Sequence, residues 1–460
     1  METIKDKYLS LNKIGLAKSN MPPLGLLYIA RSIEDEGHDV EVIDFYCESN
    51  TEDVLNCKLK SVDVVGLSVY NKTRKETNDI SKKVKEYDSD IKVIIGGPQC
   101  TYLPEKTLSE IEKADICIEG EGELVIKDLI LAFEGKKKLS DINGIYYKED
   151  NKIKKGKPAQ VIMDLNTLHF PSRHLTENYD YGIMAGINFY KPKFTTMVSS
   201  RGCPFQCGFC SRHISMIEVY RERSIENVIE EIQQISEKYN SVMMVDDNFL
   251  ANKKRSNKIM DEIIKIGTDI EIHIEGARVD SADIELYKKM KKANVKTIQY
   301  GFESGNQDVL DFYNKRITID QIKKASKLAN KMGFFIVGTF IFGAPIETEE
   351  HFKNTIKLAN SIPLDVAIFI PLTYQYGSDM WIEAVKRGLI DKDEGFVVQA
   401  DKKRGLSNFS FEELDRFCQN ATNKFYIRPR FVIRQIFMAF RRNDSKFIKM
   451  IFNSFKDIYL

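Results

Sequence analysis

The sequence predicts an α/β protein in three parts: an N-terminal doubly wound parallel sheet of Rossmann type, a partial (β/α)6 barrel, and a helical, basic C-terminal tail. Three observations predict it. Short, nearly all-apolar segments alternate with amphipathic ones twice along the chain, before residue 140 and again over 190–390. The apolar segments end in small or polar turns, as parallel strands do where they meet a ligand. Three closely spaced cysteines follow directly on the first strand of the second region. A chain of 460 residues suits two or three domains. The expected boundaries are 1–140, a hairpin and linker over 141–189, the barrel over 190–390, and the extension over 391–460.

In the first region, LGLLYIARSIEDEGH (24–38) reads as a helix ending at Gly37 and DVEVIDFY (39–46) as a strand. VDVVGLSVYN (62–71), IKVIIGGPQ (91–99) and ADICIEGEGE (114–123) read as strands buried on both faces, because their apolar runs do not alternate. KYLSLNKIGLAKSN, just ahead of Met21, is weakly apolar and makes a poor first strand. The strand ends carry Ser68-Val69-Tyr70-Asn71, Gly96-Gly97-Pro98-Gln99 and Glu119-Gly120-Glu121-Gly122-Glu123. Neither G-x-G-x-x-G nor a P-loop is present, so nucleotide binding is poorly supported. NGIYYKEDNKIKKGKPAQ (143–160) alternates like a hairpin about Asp150-Asn151, and DLNTLHFPSRH (164–174) reads as a linker whose His169 and His174 pack or face solvent.

In the second region the strands are FTTMVSS (194–200), SVMMVDD (241–247), EIHIEGAR (271–278), TIQYGFES (297–304), FFIVGTFIF (334–342) and DVAIFIP (365–371). Amphipathic stretches such as Ser224–Lys238 separate them. Six such units make a partial barrel with its ligands at the carboxyl ends of the strands. Those ends carry Asp246, Asp247 and Asn248, then Arg278, then Glu303 and Ser304. Asp, Asn and Ser there also suit helix capping.

Composition narrows the function. Hydrophobic residues make up 43% and charged residues 29%, and 68 Lys or Arg nearly cancel 67 Asp or Glu. Nucleic acid is therefore not an expected partner. No apolar run is long enough to cross a membrane, and METIKDK is no signal peptide. The expected location is the cytoplasm, where the eight cysteines stay reduced. Cys47, Cys57, Cys100, Cys117 and Cys418 are scattered and read as small hydrophobes. Cys203, Cys207 and Cys210 in RGCPFQCGFC differ. Zinc would want four ligands in two pairs, and no second pair lies nearby. Three soft thiolates on one compact loop suit an iron–sulfur cluster, with one iron of a four-iron cluster left for another ligand.

CxxxCxxC with an aromatic residue before the last cysteine, here Phe209, resembles the radical S-adenosylmethionine (SAM) signature. The resemblance covers roughly residues 190–390. It implies that the open iron chelates the amino and carboxylate groups of SAM, and that electron transfer cleaves SAM to a 5′-deoxyadenosyl radical. It further implies SAM contacts from Phe209, Asp246, Arg278, Glu303 and Ser304, and an electron donor such as flavodoxin or ferredoxin. FGAPIET (342–348) resembles the family's turn after strand five, with Ile346 in place of a glycine. The order PPLG, GLS, GGP, GEGE over residues 20–135 resembles the cobalamin-binding domain fused to many radical SAM enzymes. The class includes the anaerobic magnesium-protoporphyrin cyclase and carbon methylases. That resemblance implies cobalamin contacts from Leu24, Gly25, Ser68, Val69, Tyr70, Gly96, Gly97, Pro98, Gly120 and Glu121. Asp-x-His-x-x-Gly is absent, so no histidine is offered to cobalt from below, and His38 reads as structural.

Residues 424–460 hold nine Lys or Arg against two Asp, interleaved with Phe and Ile. Such a tail suits peripheral contact with an anionic membrane and a lipid-like substrate, or packing on the barrel with a solvated basic face. The function read from the sequence is radical SAM chemistry with cobalamin-dependent methyl transfer to an unactivated carbon of a small-molecule or lipid-like substrate. A cyclase or other bond-forming enzyme would use the same parts without methyl transfer. Methylthiolation is set aside because the other cysteines offer no second cluster, and a cluster or cobalamin sensor is the non-enzymatic rival. His213, just past the cysteines, is within reach of a substrate in this reading.

Overall fold

The computed structural model describes residues 20–184, 187–211, 219–444 and 446. His213 and the tail beyond 446 lie outside them, as does most of KYLSLNKIGLAKSN. The N-terminal sheet runs in the order β1 (Val64–Ser68), β2 (Lys92–Gly96), β3 (Ile116–Ile118), β4 (Ile145–Glu149) and β5 (Lys152–Lys155). The first three strands are parallel, while β4 and β5 are antiparallel. Strand β2 shows why such a sheet needs two coats. Val93 and Ile95 join one apolar cluster with Leu108 and Val84, and Ile94 joins another with Val125 and Leu129. Each fully buried side chain of this size contributes about 1.5–3 kcal/mol.

Two expectations are corrected here. Asp39–Asp44 form no strand; their charges alternate with Val40, Val42 and Ile43, which is poor material for a strand buried on both faces. The hairpin does form about Asp150 and Asn151, with φ of 52° and 58°, as a two-residue turn between twisted strands requires. It pairs with β3 and completes the five-stranded sheet, so the boundary expected at 140 falls within that sheet.

The barrel strands are β6 (Phe194–Met197), β7 (Ser241–Met244), β8 (Glu271–Ala277), β9 (Val295–Glu303), β10 (Phe335–Phe342) and β11 (Val366–Pro371). They are parallel and neighbours in sequence order. One parity of each strand packs on the outer helices: Val242, Met244, Ile272, Ile274, Ile298 and Tyr300 share one core. The opposite parity, with Phe194, Met243 and Val245, faces the lumen, where Tyr181 and Tyr190 fill the amino end. The connecting helices begin at side-chain caps on Ser224, Asn252, Asp283 and Thr318. The cap after β7 is thus Asn252, not Asn248.

The tail helix Pro429–Arg442 reverses an expectation. Arg434 and Arg442 turn inward to Asp365 at 2.9 and 2.8 Å, and Arg441 donates to the carbonyls of Asn330 and Lys331. The arginines thereby cap the amino end of the barrel, and Ile433, Phe437 and Phe440 project outward instead. No helix among the described residues is long and apolar enough to cross a membrane.

Candidate active site

The cysteine loop leaves β6 through the short strand Ser200–Arg201 and turns at Gly202, whose φ is 82°. A Cβ there would lie 3.1 Å from the Val219 carbonyl oxygen. The barrel then grips the loop from two directions. Gly208 donates its N–H to the Tyr313 carbonyl at 2.8 Å and accepts from the Met380 N–H at 2.9 Å. Asn314 donates to the Gln206 carbonyl at 2.7 Å. Cys207 is buried, while Cys203 and Cys210 are half-buried.

Cationic groups surround the loop. The Arg278 guanidinium stacks 3.9 Å from the Phe205 ring centroid and places Nη1 3.8 Å from Cys207 Sγ. Its other nitrogens donate to Asp280 and to the Lys315 carbonyl. Phe209 meets Tyr313 edge-on at 5.1 Å, and the Lys315 ammonium lies 5.8 Å from the Phe209 ring. Lys315 is also paired with Glu303. Glu303 sits at a shift in register between β9 and β10 with φ of 63°, a conformation that costs a non-glycine residue free energy and gathers at functional sites.

This donor set fits an iron–sulfur cluster. Burial pushes the Cys203 thiol up, opposed by a hydrogen bond from the Phe205 N–H; coordination to iron is what would hold it as thiolate. Hydrogen bonds and positive charge beside the sulfurs are the protein's means of supporting such a cluster. Among the described residues no three His, Cys, Asp or Glu side chains are arranged to hold a single metal ion, whereas a cube takes each thiolate on a different iron.

Between the N-terminal sheet and the barrel lies a cavity of about 3990 Å³, several times the ~1,000 Å³ upper end of ordinary ligand sites. Leu24, Gly25, Ser68, Tyr70, Gly96, Gly97, Pro98, Gly120 and Glu121 line it. Val69 does not: it is fully buried, and its backbone is spent on the Gly96 carbonyl and the Gln99 N–H. At Gly97, φ is 96°, and a Cβ would lie 3.0 Å from Ser68 Oγ and 3.3 Å from Val69 N and O. Only glycine leaves this turn open, and the turn forms a floor that a large planar ligand can approach closely. The cavity continues to both ends of the cysteine loop, at Arg201–Gly202 and Ser211, and into the barrel lumen at Val245, Asp247 and Glu275. Its size and glycine-lined floor fit a corrin with a substrate beside it.

None of the five expected SAM residues lines this cavity. Phe209, Arg278 and Glu303 gather around the cysteine loop as described. Two are corrected. Asp246 is buried, and its carboxylate accepts from the Ser199 N–H at 3.1 Å and from the Ser199 and Ser200 hydroxyls. It stitches β7 to the segment that follows β6, with most of these bonds falling on Oδ1. Ser304 is fully buried, with its hydroxyl engaged by Thr355 and Asn306. Asp247, placed by the sequence at the end of its strand but not among the expected SAM contacts, and Glu275, which the sequence did not single out, share the lumen-facing parity of Val245 and line the cavity.

The turn after β10 explains Ile346. That side chain is exposed, and the tight point is instead Gly343, with φ of 120° and Leu414 2.8 Å from a would-be Cβ. Glu347 closes the turn: Oε2 accepts the Gly343 and Ala344 N–H groups at 2.7 and 2.8 Å, while Oε1 is buried without a partner. Burial pushes the Glu347 carboxyl up to about 7 despite those two bonds. The folded state therefore prefers the protonated form. The resulting stability is fully present below the ordinary carboxyl range and is lost as pH rises through about 7. Glu347→Gln should remove that dependence. Denaturant unfolding of the cofactor-free chain at pH 5 and pH 8 should show the variant gaining on the wild type by on the order of 3 kcal/mol across the interval. An unchanged difference between the two would contradict this account of Glu347.

A model of the radical SAM superfamily matches residues 197–359, and a model of the B12-binding domain matches residues 14–130. An uncharacterized methyltransferase of Pyrococcus horikoshii is 32% identical over 421 residues, covering 90% of each chain. The anaerobic magnesium-protoporphyrin IX monomethyl ester cyclase of Rubrivivax gelatinosus is 27% identical over 378 residues, covering 79% of this chain and 66% of the cyclase. Among solved structures, the cobalamin-dependent SAM radical enzyme OxsB, with aqua-cobalamin and SAM bound, shares the fold with a TM-score of 0.71 at 18% identity. The match covers 96% of this chain and 69% of that one.

Proposed function

The chain belongs to the radical SAM superfamily, in the group that carries a B12-binding domain ahead of the barrel, and from that premise we propose that it methylates a carbon of a small molecule held at the mouth of the barrel. The observation that carries the reading is the single cavity joining the Ser68, Gly97 and Gly120 turns to both ends of the cysteine loop and to the lumen. When bound, the cluster supplies the electron that cleaves SAM to a 5′-deoxyadenosyl radical, and cobalamin supplies the methyl-carrying metal. The protein's own part is placement. Cys203, Cys207 and Cys210 hold three corners of the cluster. Arg278 and Phe209 fix the loop that bears them, and Glu303, held by Lys315, stands beside it as the SAM-facing carboxylate. Gly96, Gly97 and Gly120 leave room for the corrin, with Leu24, Gly25, Ser68, Tyr70, Pro98 and Glu121 around it. Val245 and Ile370 give the lumen wall apolar surface that keeps water from a reactive carbon radical. A low-potential donor of the flavodoxin or ferredoxin type is the proposed electron source.

The likeness to the cyclase favours a second reading, in which the same parts form a bond without methyl transfer. One experiment separates them. The anaerobically reconstituted full chain is reduced with flavodoxin and given SAM deuterated on its methyl group, together with a deproteinised metabolite extract. Methyl transfer predicts 5′-deoxyadenosine together with a deuterium-labelled metabolite. 5′-Deoxyadenosine without label in any product would replace the proposal with the bond-forming reading, and absence of 5′-deoxyadenosine would overturn both.

A further inference from the structure

We propose that the N-terminal domain grips the cysteine loop at both ends, Glu121 and Glu123 through Arg201 before it and Tyr102 through Ser211 after it, and that this two-point grip positions the loop for methyl transfer. The first point lies one residue ahead of Gly202. Arg201 directs Nη1 to Glu121 Oε1 at 2.9 Å and Nη2 to Glu123, and its guanidinium lies 5.4 Å from the Tyr28 ring centroid. Glu121 uses its second oxygen on Arg221 and on the Ile162 N–H, both at 2.8 Å. Burial works against the Glu121 charge, but Arg221 and Arg201 outweigh it and hold the carboxyl below its ordinary value.

The second point lies one residue past Cys210. The Tyr102 hydroxyl stands 3.3 Å from Ser211 Oγ, and Ser211 donates its N–H to Gln375 Oε1 at 3.1 Å. Tyr102 is itself held by stacking on Phe396, with 4.4 Å between ring centroids. Both grips come from the turns that line the cavity. Tyr102 ends the short helix that begins at Pro98, and Glu121 follows β3 by three residues. The floor of the cavity and the ends of the loop are therefore one mechanical unit.

The energetics favour positioning over stabilisation. A buried ion pair gains little over an apolar replacement of the same shape, because desolvation offsets the attraction. What it supplies is geometry: a guanidinium fork that must meet two carboxylates at once allows one placement of Arg201 relative to β3. Reacting groups displaced by about 1 Å can lose on the order of 10²-fold in rate, so a grip on both ends of the loop bears directly on transfer between two cofactors.

The inference rests on the methyl-transfer reading, and its test has an arm independent of that reading. In the cofactor-free full chain, hydrogen–deuterium exchange on the double variant Glu123→Gln/Tyr102→Phe should rise at least about 5-fold at 202–211, 97–102 and 120–123 and stay unchanged in β7–β10. In the loaded enzyme, iron and cobalamin content should hold while labelled product per 5′-deoxyadenosine falls about 10-fold or more. Arg201→Lys keeps the charge but cannot meet both carboxylates, and should give an intermediate fall in the same ratio; it serves if the double variant does not fold. Unchanged exchange at the loop, exchange rising evenly along the chain, or an unchanged product ratio would each overturn the proposal.

Discussion

Replacing Cys203, Cys207 or Cys210 by alanine, one at a time, should leave the anaerobically reconstituted chain without its full iron content and lower 5′-deoxyadenosine formation by at least about 100-fold. Losing a group that merely orients a metal ligand costs 10–100-fold, and losing the ligand itself costs more. The three sites are not interchangeable in the folded protein. Cys207 is buried beside Arg278, so its removal also leaves a small void in a packed position; Cys203 and Cys210 are half-buried and should be milder in stability. Cys57→Ala, at an exposed position in the N-terminal domain, is the control. Iron content and SAM cleavage should match the wild type there. Equal loss at Cys57 would mean that the assay reads general damage, and wild-type cleavage in any of the three loop variants would contradict the assignment.

Gly97→Val should remove cobalamin while leaving the iron content in place. The backbone at 97 has φ of 96°, which a β-branched residue adopts only under strain. Its Cβ would press on Ser68 Oγ and the Val69 backbone, and the two methyl groups would stand where the floor of the cavity is open. Cobalamin affinity should fall by about 100-fold or more, equivalent to about 3 kcal/mol. Gly97→Ala, with the same φ conflict but less bulk, should lose less. The cobalamin absorption spectrum per iron atom reads both variants. Full retention of cobalamin by Gly97→Val would place the ligand elsewhere in the cavity.

The barrel was legible because parallel strands buried on both faces give long apolar runs, and all six fell where those runs lie. The cysteine loop was legible because its chemistry is written in eight consecutive residues. The opposite facing of Asp246 and Asp247 was legible in principle. Val242 and Met244 pack on the outer helices, so Asp246, two residues on, shares their parity, while Asp247 continues the lumen face of Val245. The arginine tail was misjudged for a different reason. Amphipathic spacing identifies two faces but not which one the barrel will take, and Asp365 at the start of β11 drew the basic face inward. Least legible was the junction of the two domains. Arg201 and Glu121 stand 80 residues apart, Tyr102 and Ser211 109 apart, and no local pattern marks either pair.

One chain is proposed to hold a three-cysteine cluster with an open iron and a cobalamin across the same cavity. Electron paramagnetic resonance on a single anaerobic preparation, reduced and then titrated with SAM, tests it most directly. Cob(II)alamin and reduced-cluster signals should appear in near-equal amounts, with the cluster signal changing shape when SAM is added. A cluster signal indifferent to SAM, or a loaded cluster with no cobalamin beside it, would contradict it.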